Sequence, residues 1–330
     1  MKKSIITLII IAIIAIMTIA TINNMNQNTD TTSQKILQVN EVTRSVFYAP
    51  QYLAISNGFF KEEGLEIELT TGQGADKVMT AVLSGQSDLG FCGPEAAIYV
   101  YNEGKDDYIE VFAQMTQKDG SFLVSKEATN NFQWSDLKGK TVIPGRKGGV
   151  PYMTFEYVLK QNGINPQTDL ILDDSIKFDL MAGAFAGGNA DYVTLFEPTA
   201  TLLENQGYGY VVASIGKLGG VVPYTSFSAR DSFIKNNKDL IGDFDSAIQK
   251  GLDFVSTHTD SEVAEVILKQ FPDTSFNDLV SAIKRYREND TWPKTTTFTE
   301  DSFNHLQDIM IDYGELEKRV SYNDLMYKIK

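Results

Sequence analysis

Two hydrophobic periods trade places along this chain in a regular order. Lys35-Ile-Leu-Gln-Val-Asn40 and Leu65-Glu-Ile-Glu-Leu69 alternate apolar with polar, as half-buried strands do. Tyr48–Asn57 and Ala75–Ser84 instead carry apolar residues at helical spacing, and each stops at a glycine, Gly58 and Gly85. A second series follows: strand Thr141–Ile143, a glycine-rich loop Pro144–Gly149, helix Pro151–Gln161 with its stop at Gly163, a strand near Leu170–Leu172 and a helix over Ile176–Phe185. Strands and helices alternating at these lengths predict an α/β fold with mostly parallel sheets flanked by helices.

One corner occurs twice. Asp88-Leu-Gly-Phe-Cys-Gly-Pro94 runs on to Gly104, and Asp191-Tyr-Val-Thr-Leu-Phe-Glu-Pro198 runs on to Gly207. In both, an acid opens a short apolar strand, a proline takes the first helical position and a glycine closes the helix. The repetition predicts two similar lobes with a cleft between them.

Strands at Val111–Gln114 and Phe122–Ser125 flank the polar segment Thr116-Gln-Lys-Asp-Gly120, a natural crossing between lobes, and Gly219-Gly-Val-Val-Pro223 supplies the return. Tyr224–Ala229 then alternates as a strand, and from Asp231 the pattern is helical. Phe244, Ile248, Leu252 and Val255 share a face, as do Val280, Ile283 and Tyr286, and these stripes are expected to face the core. The expected division is residues 1–34 as leader and spacer, 35–118 with 224–330 as lobe I, and 119–223 as lobe II.

The leader has its own pattern. Met1-Lys2-Lys3, the apolar run Ile5–Ala20 and a polar spacer to Gln34 have the layout of a secretory signal, so the protein is expected outside the cytoplasm. Cleavage and retention as a membrane anchor both stay open, but no cysteine near the leader offers a lipid attachment site.

Composition narrows the chemistry. The chain has 330 residues, 42% of them hydrophobic, enough for a full core. Its net charge of −14 argues against a nucleic-acid partner. Cys92 is the single cysteine, which precludes an internal disulfide, and His258 and His305 are the only histidines, too few for a histidine/cysteine zinc site. No serine-histidine arrangement has motif support, so catalysis, metal and cofactor are not expected.

Candidate binding residues lie where strands hand over to helix N-termini. Gly74 and Ala75 open one helix. Pro144-Gly-Arg-Lys-Gly-Gly-Val-Pro151 brings Arg146 with Gly148 and Gly149 to another, without Walker spacing. Glu95 and Glu197 sit beside the corner prolines Pro94 and Pro198, and each is either a helix-dipole partner or a ligand contact. Paired acids there suit a ligand with N–H donors. They also raise glycosidase chemistry, for which no polysaccharide groove is indicated. Phe47, Tyr48 and Tyr52, with Tyr152 and Tyr224 opposite, offer stacking to a planar ligand, although Tyr52 by default packs in the core.

Phe47-Tyr48-Ala-Pro50-Gln-Tyr52-Leu-Ala54, Gly58-Phe59-Phe60-Lys-Glu-Glu-Gly64-Leu65, Gly85-Gln-Ser-Asp88-Leu-Gly90 and Ser135-Asp136-Leu-Lys-Gly139-Lys140 resemble the solute-binding proteins of ABC importers for nitrate, sulfonates and taurine. That family includes relatives of the thiamine-pyrimidine synthases. The resemblance implies a two-lobed class II periplasmic-binding fold, without enzymatic activity, that presents a small solute to a permease and its ATPase. It implies ligand contacts at Phe47, Tyr48, Gly74, Ala75, Pro94, Glu95, Arg146, Gly148, Gly149 and Glu197. A monomer is expected, touching the membrane only through an uncleaved leader. Arg146 favours an anionic solute, whereas Glu95, Glu197 and the aromatics favour a vitamin-like ring such as a thiamine-pyrimidine precursor. A pyrimidine-synthase-like enzyme is the alternative, weakened because the cysteine-rich motif of the fungal synthases is absent. An extracellular sensory domain is a further one, weakened because no transmembrane link to a signalling module is seen.

Overall fold

The computed structural model describes residues 34–329; the leader, and with it the signal-or-anchor expectation, lies outside them. Strand β1 (Lys35–Glu41) leads to helix α1 (Ala49–Ser56), short α2 (Phe59–Glu62), β2 (Leu65–Thr71), α3 (Ala75–Leu83), β3 (Leu89–Cys92), α4 (Glu95–Asn102) and β4 (Ile109–Thr116). The chain then crosses to β5 (Phe122–Ser125), β6 (Thr141–Ile143), α5 (Val150–Gln161), β7 (Ile171–Leu172), α6 (Met181–Ala186), β8 (Tyr192–Leu195), α7 (Thr199–Asn205), β9 (Tyr210–Ser214) and α8 (Ile215–Gly219). It returns through β10 (Thr225–Arg230) and finishes with α9 (Asp231–Asn236), α10 (Lys238–Thr257), α11 (Asp260–Ile267), α12 (Phe276–Glu288), α13 (Glu300–Tyr313) and α14 (Tyr322–Leu325).

The strands form two five-stranded sheets in the orders β2-β1-β3-β10-β4 and β7-β6-β8-β5-β9, one per lobe. The parallel expectation holds where β1 meets β3 and where β6 meets β7 and β8. It fails at β10 and β5, each of which runs antiparallel to both neighbours. The reason is where the chain enters. Each is reached directly after a crossing and starts beside the finishing end of a parallel strand, Ser226 opposite Cys92 and Phe122 opposite Leu195, so it must run back.

The repeated corner has a structural basis. Asp88 Oδ2 accepts the Gln38 N–H (2.9 Å), and Asp191 Oδ2 accepts the Thr141 N–H (2.8 Å). The Asp88 and Asp191 N–H groups return to the carbonyls of the same two residues (2.8 and 2.9 Å). Both pairs span 50 residues, so each lobe locks the start of a strand to its neighbour with the same clamp. Gly104 and Gly207 have φ of +72° and +74°, the left-handed ending that glycine adopts without steric cost. The prolines sit one place earlier than the sequence pattern places them: Pro94 and Pro198 precede the first helical residues, Glu95 and Thr199.

The helix expected over Ile176–Phe185 is shorter. Asp173 Oδ1 takes the N–H (3.1 Å) and hydroxyl (2.5 Å) of Ser175, a local bond that competes with the helix, and regular α-helix begins only at Met181. Phe244, Ile248, Leu252, Val255, Ile283 and Tyr286 are all buried, as their spacing predicts, while Val280 only packs against the core edge.

Candidate functional site at the strand ends

The loops that follow β1, β3, β6 and β8 meet one another: Ser45 bonds Glu197, Tyr99 of α4 bonds Gly148, and Phe47 lies on Gly120 at the first crossing. On the lobe I side the scaffold is Glu41, at the end of β1 and fully buried. Its carboxylate accepts from Gln51 Nε2 (2.9 Å), the Tyr52 hydroxyl (2.7 Å), Thr71 Oγ1 (3.0 Å) and Arg44 Nε (3.2 Å). One side chain thereby ties β1, β2, α1 and the loop between them. Burial raises the Glu41 carboxyl above its ordinary value, with those donors working against the rise. Tyr52 is thus part of this knot, as the core reading expects.

The loop so anchored carries Phe47 and Tyr48, and both are buried. Ser45 caps the turn by accepting the Phe47 N–H (3.2 Å) and gives its own hydroxyl to the Glu197 carbonyl in lobe II (2.5 Å). The Phe47 ring packs against Tyr48, Phe196, Tyr224 and Tyr286 at centroid distances of 5.2–5.7 Å. Trp292 Nε1 donates to its carbonyl at 2.9 Å. Its face also closes on Gly120 at the first crossing, where a β-carbon would fall within the ring's van der Waals envelope. Phe47 is therefore a packed wedge where the lobes meet. Tyr48 stands edge-on to Phe91 at 4.5 Å, its hydroxyl meets Thr225, and burial holds that hydroxyl in its neutral form.

The two corner glutamates are not equivalent, because Glu95 follows its proline and Glu197 precedes its own. Glu197 is consumed within the protein. Oε2 accepts the Thr201 N–H in the first turn of α7 (2.9 Å), Oε1 pairs with Arg285 Nη1, and the Tyr286 hydroxyl accepts its backbone N–H (2.8 Å). Arg285, on α12, holds Glu204 as well (2.6 Å) and lies 5.5 Å from the Phe122 ring. Of the two acids expected to contact a ligand, Glu197 is thereby bonded within the protein, and Arg285 and Tyr286 bind the C-terminal helices to lobe II.

Glu95 opens α4 and is 3% exposed. Its carboxylate folds back over Gly93, whose missing side chain leaves the room, and Oε2 has no hydrogen-bond partner. Burial raises the carboxyl to about 7, against the opposing pull of Arg146 and of the N–H groups of Ala96 and Val150, the last from lobe II. Lobe II comes near here because the Tyr99 hydroxyl of α4 donates to the Gly148 carbonyl (3.2 Å). Gly148 has φ +74°, and the Gly149 N–H turns back to the Arg146 carbonyl (3.2 Å). Arg146 itself is exposed and has no salt bridge among the described residues. Gly74 and the buried Ala75 open α3 beside the Val42 carbonyl, which accepts the Gly74 N–H at 3.1 Å.

Asp119, read from sequence only as part of a polar joint, is a second buried acid. Oδ1 takes the Ser121 N–H (2.6 Å) and hydroxyl (2.5 Å), Oδ2 has no well-aligned partner, and burial raises the carboxyl to about 6. The Tyr224 hydroxyl is buried beside Asp119, with the Tyr48 hydroxyl and the Glu95 carboxyl near it. Asn40 Oδ1, Glu95 Oε2 and Ser226 Oγ are further buried polar atoms without a partner at the strand ends. Asn40 sits next to the end of β1, and Ser226 faces Cys92 across the β3–β10 ladder. Asn40 and Ser226 gave no signal beyond strand alternation. Tyr152 lies apart from this group, packed against Tyr313 at 5.8 Å.

Two open hollows lie off this center. One of about 470 Å3 is bordered by Ser175, Lys177, Leu180 and Ala184 on lobe II. The other, about 360 Å3, lies behind the crossings beside Gln117, Val221 and Trp292. Neither is lined by the residues that carry the unpartnered oxygens, and a buried polar atom without a partner costs free energy. Among the described residues no cluster of histidine, cysteine, aspartate and glutamate has a metal-binding arrangement.

The family model described as NMT1/THI5 like matches residues 46–262. The chain is 44% identical over 292 residues to YtlA of Bacillus subtilis (strain 168), a protein provisionally named as a binding protein, covering 88% of this chain and 87% of that one. Among solved structures it superposes on the alkanesulfonate-binding protein SsuA from Xanthomonas axonopodis pv. citri bound to MOPS, with a TM-score of 0.72 and 14% identity over 89% of this chain and 98% of that one. The periplasmic nitrate-binding protein NrtA from Synechocystis PCC 6803 gives a TM-score of 0.65 at 15% identity, over 88% and 83%. These structures carry the two-lobed periplasmic-binding fold, and at such identities they speak for fold alone.

Proposed function

The chain belongs to the NMT1/THI5-like family, and from that membership we propose that it is the extracytoplasmic solute-binding subunit of an ABC importer. It takes a small polar organic solute between residues 35–118 with 224–330 on one side and residues 119–223 on the other, and delivers it to a permease driven by an ATPase. It acts as a monomer, without a cofactor and without catalysing a reaction, and an N-terminal signal or anchor carries it outside the cytoplasm. Its relative in Bacillus subtilis bears a binding name, which supports the reading.

The observation that carries it is the set of buried, unpartnered oxygens at Asn40, Glu95 and Ser226, with the Tyr224 hydroxyl beside the buried Asp119, placed where strand ends and helix N-termini meet. The contacting groups are Tyr48, Gly74, Ala75, Pro94, Glu95, Gly148, Gly149 and Tyr224, with Arg146 at the rim. Phe47 and Glu197 act behind them by joining the lobes.

The experiment is a thermal melt of residues 35–330 against alkanesulfonates, taurine, nitrate, aminopyrimidines and amines. A solute at a hundredfold excess over its Kd adds about 2.7 kcal/mol, which raises Tm by a few degrees in a protein of this size. Solution scattering with the stabilising solute should report a change in compaction on closure. No shift with any solute, together with an unchanged envelope, would remove the binding reading.

A further inference from the structure

The reading above names a cleft and leaves the chemistry of its occupant open; Glu95 narrows it. Helix N-termini attract anions through free N–H groups and partial positive charge, and α4 and α5 both begin here. The protein has filled that seat itself. The Glu95 carboxylate lies back over Gly93, close to the N–H groups of Ala96 and Val150 that an incoming anion would use. A solute anion would meet a buried carboxylate at the place where the backbone would otherwise welcome it, and repulsion in such a setting is weakly screened.

One carboxylate oxygen, Oε2, is still left without a donor. Glu95 is 3% exposed with Oε2 unpaired, and the Tyr224 hydroxyl, which lies beside Asp119, is near it. Arg146 is near enough to favour the Glu95 charge but makes no bond to that oxygen. We infer that the solute carries a hydrogen-bearing nitrogen group, an amine, amidine or guanidine, whose N–H is accepted by Glu95 Oε2 as the lobes close. The inference rests on the solute-binding reading above.

Proton linkage gives an independent handle. Burial holds the Glu95 carboxyl at about 7, so below neutrality much of it is protonated and has lost its charge. A cationic donor selects the ionised form; its affinity rises by up to about tenfold per pH unit below 7 and levels off above. An anion would show the reverse. The other groups facing Glu95 are Arg146 from the loop before α5, the hydroxyls of Tyr48, Tyr99 and Tyr224, and the Cys92 thiol. Burial pushes those hydroxyls and the thiol upward, out of the range between pH 5 and 8. Glu315, near Gly148 and Tyr99, adds a carboxylate.

The test uses residues 35–330 and a matched set of probes: benzylamine, benzamidine, 4-aminopyrimidine and agmatine against benzenesulfonate, benzoate, taurine and nitrate. Calorimetric and thermal-shift titrations are run at pH 5.5, 6.5 and 7.5. The expected result is that the tightest probes are nitrogen donors, that their affinity increases with pH, and that E95Q weakens them about 10–100-fold while melting within a few degrees of the parent. Tightest binding by benzenesulfonate, benzoate or nitrate, or unchanged donor affinity in E95Q, overturns the inference and leaves the binding reading intact. If no probe binds and the scattering envelope is also insensitive to all of them, the binding reading fails and the inference fails with it.

Discussion

Arg285 of α12 reaches into lobe II and pairs with Glu197, whose side chain is fully buried, while its second nitrogen holds Glu204 at 2.6 Å. One guanidinium thereby joins the C-terminal helical tail to the N-terminus of α7. A planar fork suits two carboxylates at once, and a lysine ammonium does not.

Removing that fork leaves the Glu197 charge buried without its partner. R285A should lower unfolding stability by about 3 kcal/mol in urea, and R285K should recover only part of it. Scattering of ligand-free R285A should show a larger radius of gyration than the parent. Equal stability and equal dimensions in R285A would remove the role assigned to this pair.

The buried carboxyls of Glu95 and Asp119 give a pH signature. Burial lifts them to about 7 and about 6 from ordinary values of 4.5 and 3.8, so the folded protein holds these protons more tightly than the unfolded chain. Their contribution is fully present below the unfolded values and is lost as pH rises through the folded ones, over roughly pH 4 to 7, with an amplitude of about 3 kcal/mol each. Denaturation midpoints from pH 4.5 to 8 for the parent, E95Q and D119N read this out: each variant should lack its own share of the falling slope. Variants whose slopes parallel the parent's would contradict it.

Gly120 meets the Phe47 ring with no room for a β-carbon. G120A should therefore cost about 1–3 kcal/mol through overpacking, and F47L in the same chain should return part of that loss. A double variant no more stable than the sum of the single losses predicts would show that the two sites do not touch in solution.

Glu41 holds the binding loop without touching the solute in the proposed arrangement. E41A orphans Gln51, Tyr52, Thr71 and Arg44 together and should cost about 3–5 kcal/mol. E41Q keeps the shape and part of the bonding, so it should fold, bind more weakly and keep the solute preference of the parent. A change in which solutes bind would instead place Glu41 in direct contact with them.

The sequence carried the fold because its signals are local. Acid, apolar run, proline and glycine recur at a fixed span, and the structure shows Asp88 and Asp191 making the same clamp to strands 50 residues earlier. The polar joint at Thr116–Gly120 and the glycines at 219 and 220 fall at the crossings for the same reason. Strand direction at β5 and β10 was not legible, because it follows from where the chain enters a sheet and not from its composition. Of the proposed site, Glu95 and the glycine loops could be picked out from sequence because they lie at helix starts. Asp119 and Arg285 could not be. A lone acid in a linker looks like solvated charge, and whether Arg285 faces water or Glu197 depends on a partner 88 residues away.

All five strands of the second sheet come from residues 122–214, an unbroken stretch, whereas the first sheet lacks the strand between β3 and β4 until residues 225–230 exist. A chain made from its amino end therefore presents the inserted half as a finished unit while the outer half still has a gap between two strands that do not pair with each other. Any truncation before residue 225 leaves β3 as an open edge and β4 without a strand partner, and fragments that end there should be the ones that aggregate.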